Sequence, residues 1–117
     1  MTPPVLAQWD VVRVRVLPGD RDEHPAVLIS PPEICADQQK RRVNVLYGTT
    51  RRPGQTVRAH EVVLNGADGL DHATIVSCAH IYTVDRTLIT TRLGEVTRER
   101  RRQLGRTIVA TCRLPLA

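Results

Sequence analysis

The chain has 117 residues, of which 41% are apolar and only 3% aromatic, and it carries a formal net charge of +5. A chain of this length is expected to form a single domain, residues 1–117, around one small core of Val, Leu and Ile. It contains no apolar run long enough to span a bilayer and no N-terminal signal-peptide pattern, so neither a membrane span nor secretion is expected.

The basic residues are almost all arginine, because Lys40 is the one lysine among 17 Lys and Arg. Arginine suits planar, bidentate contacts with phosphate, so the domain is a candidate for nucleic-acid binding. A high-GC genome, which favours Arg codons, is the alternative explanation. The cysteines Cys35, Cys78 and Cys112 show no zinc-binding spacing, and the last two lie in apolar segments typical of buried thiols. We therefore expect a cytoplasmic protein with no structural metal.

After a loose lead-in at residues 1–8, apolar runs predict a series of short strands. The predicted strands are residues 9–17, 26–30, 43–47, 57–64, 74–78 and 80–84. A short helix is predicted near residues 33–38, directly after two prolines, and a tight helical turn at residues 85–88. Trp9 is expected to anchor the core, because no other side chain in the chain matches its area.

The last predicted element is a helix over residues 98–113. Thr97 is a good N-cap for it, and Leu104, Ile108 and Cys112 recur every four residues as its core stripe. Its arginine-rich polar faces are either solvated or bind an acidic partner or RNA. Many short strands, Gly/Pro turns and one terminal helix imply a small, strongly bent antiparallel sheet or barrel.

Residues 43–53, VNVLYGTTRRP, carry the most informative pattern in the chain. A strand is predicted to stop at Gly48 and to be followed at once by two hydroxyls, Thr49-Thr50, and two guanidiniums, Arg51-Arg52. Hydroxyl donors and fixed positive charge at one corner suit the binding of a phosphodiester.

Several short blocks occur in a recognisable order along nearly the whole chain. The blocks are WDVV at 9–12, HPAVLIS at 24–30, VNVL at 43–46, TT at 49–50, DGL at 68–70, IVSC at 75–78, IYTVD at 81–85 and LGEV at 93–96. Their order and spacing resemble the MazF/PemK-like growth-inhibiting toxins of bacterial toxin–antitoxin pairs.

The resemblance implies a mainly β (α+β) fold: a small SH3-like antiparallel barrel (CcdB/MazF-like) with a short internal helix and a C-terminal helix. It implies a homodimer and an endoribonuclease that cleaves single-stranded RNA without metal or other cofactor. It also implies a cognate antitoxin, whose tail occupies the RNA groove, and DNA binding through the antitoxin complex.

In that family, catalysis is carried by an Arg before the Pro of the second strand and by a Thr after the third strand. Here His24 stands at the first position and Thr49-Thr50 at the second, and Ala79 stands where some members have an acidic residue. We predict His24, Thr49 and Arg51 as catalytic residues. The predicted RNA-binding residues are Arg21, Thr50, Arg52, Arg58 and His80.

Metal-free RNA cleavage needs a base for the 2′-hydroxyl proton, an acid for the 5′-oxygen, and donors or positive charge at the phosphate. His24 suits a proton transfer because imidazole titrates near neutral pH. Thr49 suits a hydrogen bond to a phosphate oxygen, and Arg51, Arg52 or Arg21 could supply the charge.

Simpler structural roles stay open for each of these residues. The imidazole could merely pack, the hydroxyls could satisfy backbone groups at a strand end, and the arginines could lie in a solvated loop. The protein as a whole could also be an inactive barrel that binds RNA or an antitoxin-like peptide. A toxin that binds a protein target, such as a topoisomerase, is a further alternative.

Overall fold

A computed structural model describes residues 5–15 and 22–113. The described residues form seven β-strands, two α-helices and two short 3₁₀ turns. The strands are β1 (Asp10–Arg15), β2 (Glu23–Leu28), β3 (Arg42–Thr50), β4 (Glu61–Leu64), β5 (Thr74–Ser77), β6 (Tyr82–Asp85) and β7 (Ile89–Glu95). The helices are α1 (Pro32–Ala36) and α2 (Arg98–Cys112), and the 3₁₀ turns are Gly66–Asp68 and Arg86–Leu88. None of the helices in these two ranges is a candidate for crossing a lipid bilayer.

The strands pair antiparallel in the order β4-β5-β3-β2-β1-β7, with β6 paired to β3 off this path. The predicted mainly β fold with a short internal helix and a C-terminal helix is therefore confirmed, although the hydrogen-bonded path does not close into a full barrel. The central element is β3. It pairs with β2 through residues 45–47, with β6 through residues 42–45 and with β5 through residues 48–50.

Side-chain alternation along β3 divides the core in two. Val43 and Val45 belong to one buried cluster, against which Tyr47 packs, whereas Leu46 belongs to a second cluster on the opposite face. Trp9 packs against the second cluster and is only partly buried. The largest of the fully buried side chains are Val and Leu, as the aliphatic composition predicts.

The second cluster is covered by α2. Thr97 caps the helix by accepting a hydrogen bond from the Arg100 amide, as predicted. The buried carboxylate of Asp68 accepts the Thr97 amide at 3.1 Å and lies 3.8 Å from the Arg100 guanidinium, so it holds the start of the helix. Leu104 is fully buried. The predicted core stripe is wrong at its last position, since Cys112, the last residue of α2, is exposed.

Several predicted strand boundaries are also corrected. The strand β3 does not stop before Gly48 but continues through Thr50, because Gly48 pairs with Val76 of β5. A side chain at Gly48 would meet the Thr74 methyl group at 2.6 Å, so glycine is needed there for close packing. Similarly, β4 begins at Glu61, after a turn.

The strand β7 was not predicted. It pairs with β1 through a register that shifts twice, between Val11 and Val12 and between Arg13 and Val14. These bulge-like irregularities break the alternation of buried and exposed residues that identifies a strand in a sequence.

Arg86 is buried and ties α1 to the rest of the fold. Its guanidinium donates hydrogen bonds of 2.8–3.0 Å to four backbone carbonyls around that helix, those of Ile34, Cys35, Asp37 and Lys40. Three of these carbonyls, those of Ile34, Cys35 and Asp37, lie at the end of the five-residue helix, where backbone acceptors lack helical partners. The Arg86 side chain therefore stabilises the fold and is not a surface cation.

Candidate functional site

A cavity of about 180 Å³ lies on one face of the sheet, next to the stretch of β3 between its pairing with β6 and its pairing with β5. The β6 ladder reaches Val45 and the β5 ladder begins at Gly48, which leaves the stretch between them without a neighbour on that edge. The residues lining the cavity are Tyr47, Thr49, Glu61, Ile75, Ser77, His80 and Tyr82. They combine a hydroxyl, a carboxylate, an imidazole and two phenol rings in one hollow.

The structure separates the two neighbouring threonines. Thr49 opens into this cavity, whereas Thr50 lines a different hollow of about 210 Å³ beside Arg13 and His72. The reason is that β3 continues through both residues, so that successive side chains point to opposite faces. Within the described residues neither hydroxyl makes a hydrogen bond, so the Thr49 hydroxyl is free to contact a ligand.

His24 lies on the same side of the sheet as Thr49. It is half-buried on β2, and its ring meets the Tyr47 ring edge-on with centroids 6.4 Å apart. The Pro25 carbonyl lies 3.5 Å from the position that a side chain at Gly48 would take, so the two strands remain adjacent at this point. Continued by two residues, the register that pairs Ala26 with Tyr47 brings His24 to the position next to Thr49 on the neighbouring strand.

The predicted arginines lie outside the cavity. The Arg51 guanidinium donates to the Gln55 carbonyl through Nε at 3.3 Å and Nη2 at 3.1 Å. The Arg52 amide donates to Oε1 of the Gln55 side chain at 2.9 Å, and the Arg52 side chain is exposed. Arg58 is exposed beside Glu61, whose carboxylate accepts the Arg58 amide at 2.9 Å. Arg21 lies outside the described residues.

The residues that line the cavity but were not predicted as site residues are Tyr47, Glu61, Ile75, Ser77 and Tyr82. Four of them lie in or directly beside the ordered sequence blocks, which indicate the fold but not the cavity, and Glu61 begins a short strand outside any block. The remaining predicted residue, His80, does line the cavity and is exposed. His80 is not buried with Cys78, because β5 ends at Ser77, before both residues, so strand alternation does not put their side chains on one face.

The two tyrosines pack against each other beside Thr49. Their ring centroids lie 4.7 Å apart with the planes at 60°, and Tyr82 in turn lies 6.4 Å from the His80 ring. Burial and the neighbouring Tyr82 raise the pKa of Tyr47, so its phenol stays neutral at physiological pH. The row of rings is therefore an aromatic wall beside the free Thr49 hydroxyl.

Metal-ligating side chains are scattered in the described part of the chain. No three His, Cys, Asp or Glu residues there gather closely enough to hold a metal ion. Glu61 and His80 are the only such residues among those lining the cavity.

The fold and the site define a small β protein with a polar and aromatic hollow beside a free threonine, and comparison with known families identifies its class. The family model of PemK-like, MazF-like toxins of type II toxin–antitoxin systems matches residues 7–111. The chain therefore belongs to this toxin family, and the resemblance noted from the sequence is confirmed. No curated protein sequence matches the chain.

Solved structures of toxins share the fold. An endoribonuclease from a mycobacterial species, in complex with its cognate antitoxin, aligns over 100% of both chains with a TM-score of 0.74 and 20% identity. The Mycobacterium tuberculosis toxin MazF-mt6 aligns over 91% of this chain and 98% of its own, with a TM-score of 0.73 and 18% identity. A MazE–MazF structure from Deinococcus radiodurans covers 96% of this chain and 99% of the matched one, with a TM-score of 0.71 and 18% identity.

Proposed function

We propose that this protein is a toxin that cleaves single-stranded RNA without a metal ion, and that a cognate antitoxin restrains it. Membership of the toxin family supports the general class, and structural neighbours are described as endoribonucleases. The observation that carries the proposal is the free Thr49 hydroxyl in a cavity that also receives His80, with His24 on the neighbouring strand.

The proposed reaction is a transfer within the RNA backbone. The 2′-oxygen attacks the adjacent phosphorus, the bond from phosphorus to the 5′-oxygen breaks, and the products are a 2′,3′-cyclic phosphate and a 5′-hydroxyl. One imidazole takes the proton of the 2′-hydroxyl and the other gives a proton to the leaving 5′-oxygen. We assign His24 and His80 to these two roles because each imidazole neighbours one of the two tyrosines beside Thr49.

The phosphate is bound by Thr49 in this proposal. Its hydroxyl donates to a non-bridging oxygen, where negative charge develops in the transition state. Arg51 lies two residues further along the chain and still has N–H donors left beyond the two bound to the Gln55 carbonyl, since a guanidinium carries five. Arg51 can therefore add positive charge at the edge of the cavity while it keeps its hydrogen bonds to the Gln55 carbonyl.

The partners follow from the same proposal. The matched mycobacterial structure contains a cognate antitoxin, and the net charge of +5 favours both RNA and an acidic antitoxin segment as ligands. We also propose a homodimer, which light scattering at micromolar concentration would test directly: a monomeric mass would contradict it.

The ribonuclease proposal is tested with purified protein and a long single-stranded RNA in the presence of a chelator. Cleavage by the wild type, together with its loss in Thr49→Ala and His24→Ala, is the expected result. An uncut RNA, or equal cutting by both variants, would contradict the proposal.

One observation favours a second candidate, an inactive barrel that binds RNA or an antitoxin-like peptide. No arginine side chain of the described residues lines the cavity at Thr49, and the family Arg position is occupied by His24. RNA binding that weakens with salt, in the absence of any cleavage, would support this alternative.

A further inference from the structure

We propose that the exposed ring of Tyr82, which packs edge-on against Tyr47, is a stacking platform for one unpaired base of the RNA, beside the phosphate bound at Thr49. The inference rests on the proposed function and adds to it a base-binding subsite. It identifies the part of the ligand that the cavity receives as a planar, aromatic ring.

The first support comes from where the few aromatic side chains of the chain lie. It has one Trp, two Tyr and no Phe. The buried core is filled by aliphatic side chains, yet the only two tyrosines lie against each other at the cavity, and Tyr82 remains 46% exposed. Aromatic rings bury more apolar area than most side chains, so a tyrosine left half in water next to a hollow is available for a ligand.

The second support is the shape of the wall. The tyrosine pair is continued by an imidazole at each end, with centroid distances of 6.4 Å from His24 to Tyr47 and 6.4 Å from His80 to Tyr82. The adjoining cavity of about 180 Å³ holds the volume of roughly six water molecules, at about 30 Å³ each, so it has room for a planar ring. Proteins that bind single-stranded RNA stack its bases on such exposed rings.

The third support is the position of polar groups around the wall. The Glu61 carboxylate and the Ser77 hydroxyl line the same cavity, and the Ser77 oxygen accepts only the Ala79 amide, at 3.3 Å, which leaves its hydroxyl proton free to donate. A carboxylate accepts hydrogen bonds from the amino groups on base edges. A stacked base would therefore meet a donor and an acceptor at its edge, and its phosphate would extend toward Thr49.

The proposal is tested by measuring RNA binding rather than cleavage. Short homopolymeric 2′-O-methyl oligonucleotides of A, C, G or U cannot undergo attack by a 2′-hydroxyl, so their affinities report binding alone. We expect Tyr82→Ala to weaken the binding of the best homopolymer about 5- to 140-fold, which corresponds to ~1–3 kcal/mol for one base–aromatic stack. Tyr82→Phe keeps the ring and should bind like the wild type.

Two controls separate stacking from general effects. Ile81→Ala removes a neighbouring apolar side chain that is 49% exposed but has no aromatic face, so it should leave the affinity unchanged. An abasic strand with the same number of phosphates should bind the wild type and Tyr82→Ala equally, since it offers nothing to stack.

Three outcomes would overturn the platform. They are an unchanged affinity in Tyr82→Ala, an equal loss in Tyr82→Phe, and a change of molecular mass in Tyr82→Ala by light scattering, which would show that the ring packs against another copy of the chain. Tyr82-dependent binding by a protein that cuts no RNA would leave the platform standing and contradict the ribonuclease proposal. Cleavage that depends on Thr49, together with RNA binding that does not depend on Tyr82, would support the ribonuclease proposal and contradict the platform.

Discussion

Replacement of Thr49 by valine tests the role of a single hydroxyl. The change keeps the branched shape that suits a strand and removes only the group that faces the cavity. The Thr49 side chain is exposed and its hydroxyl has no hydrogen-bond partner among the described residues. The substitution should therefore leave the free energy of unfolding unchanged. Any effect on RNA cleavage therefore reports the contact with RNA.

The expected loss follows from the strength of that contact. A hydrogen bond to a charged group contributes about 1.5–3 kcal/mol, and each 1.36 kcal/mol of barrier corresponds to about a tenfold change in rate. We therefore expect kcat/KM of Thr49→Val to fall about 10- to 150-fold. A fall in kcat with little change in KM would show that the bond forms mainly in the transition state.

The neighbouring residue provides a matched control. Thr50→Val makes the same chemical change on the same strand, but Thr50 lines the hollow on the opposite face. We expect its kcat/KM to stay within about twofold of the wild type, the range of an ordinary surface substitution. The assay is the initial rate of cleavage of a single-stranded RNA with chelator present. Equal losses in both variants, or none in Thr49→Val, would refute the reasoning.

Three further predictions concern the fold around the site. Gly48→Ala should lower both the stability and the cleavage rate, because the new methyl group meets the Thr74 side chain at 2.6 Å directly beside Thr49; urea unfolding and the RNA assay measure the two effects. Arg86→Leu should cost about 2–4 kcal/mol in urea unfolding, because buried carbonyls lose their donor; an unchanged midpoint would contradict this. A thiol reagent at about pH 8 should modify Cys112 first, because Cys112 is exposed whereas burial raises the pKa of Cys78 to about 11; mass spectrometry of the labelled peptides identifies the order.

The sequence predicts most of the fold because its strands are short apolar runs between clear breaks. Apart from the unpredicted β7, the order of elements, the antiparallel class and the capped C-terminal helix all follow from local patterns. The boundaries that failed depend on partners distant in the chain: Gly48 lies inside a strand because Val76 pairs with it, and β7 follows β1 through irregular registers. A local sequence pattern carries no information about either of these pairing partners.

The candidate site is predictable only in part. Thr49 is predicted from its position after an apolar run, and His24 from the family resemblance, since it stands where the family has an Arg before the proline. The separation of Thr49 from Thr50 could not be read from the sequence, since it depends on β3 continuing past Gly48. Likewise, Glu61 and Tyr82 reach the cavity through β4 and β6, and only the packing of those strands brings them to β3.

The central claim is that the protein cleaves RNA by using the 2′-hydroxyl next to the bond that breaks. The most direct test compares an RNA that the wild type cuts with the same RNA carrying a single 2′-deoxy nucleotide at the cleavage position, both with chelator present. The account predicts cutting of the all-ribose strand, with a 2′,3′-cyclic phosphate and a 5′-hydroxyl as the new ends, and no cutting of the substituted strand. Cleavage of both strands at that position would contradict it.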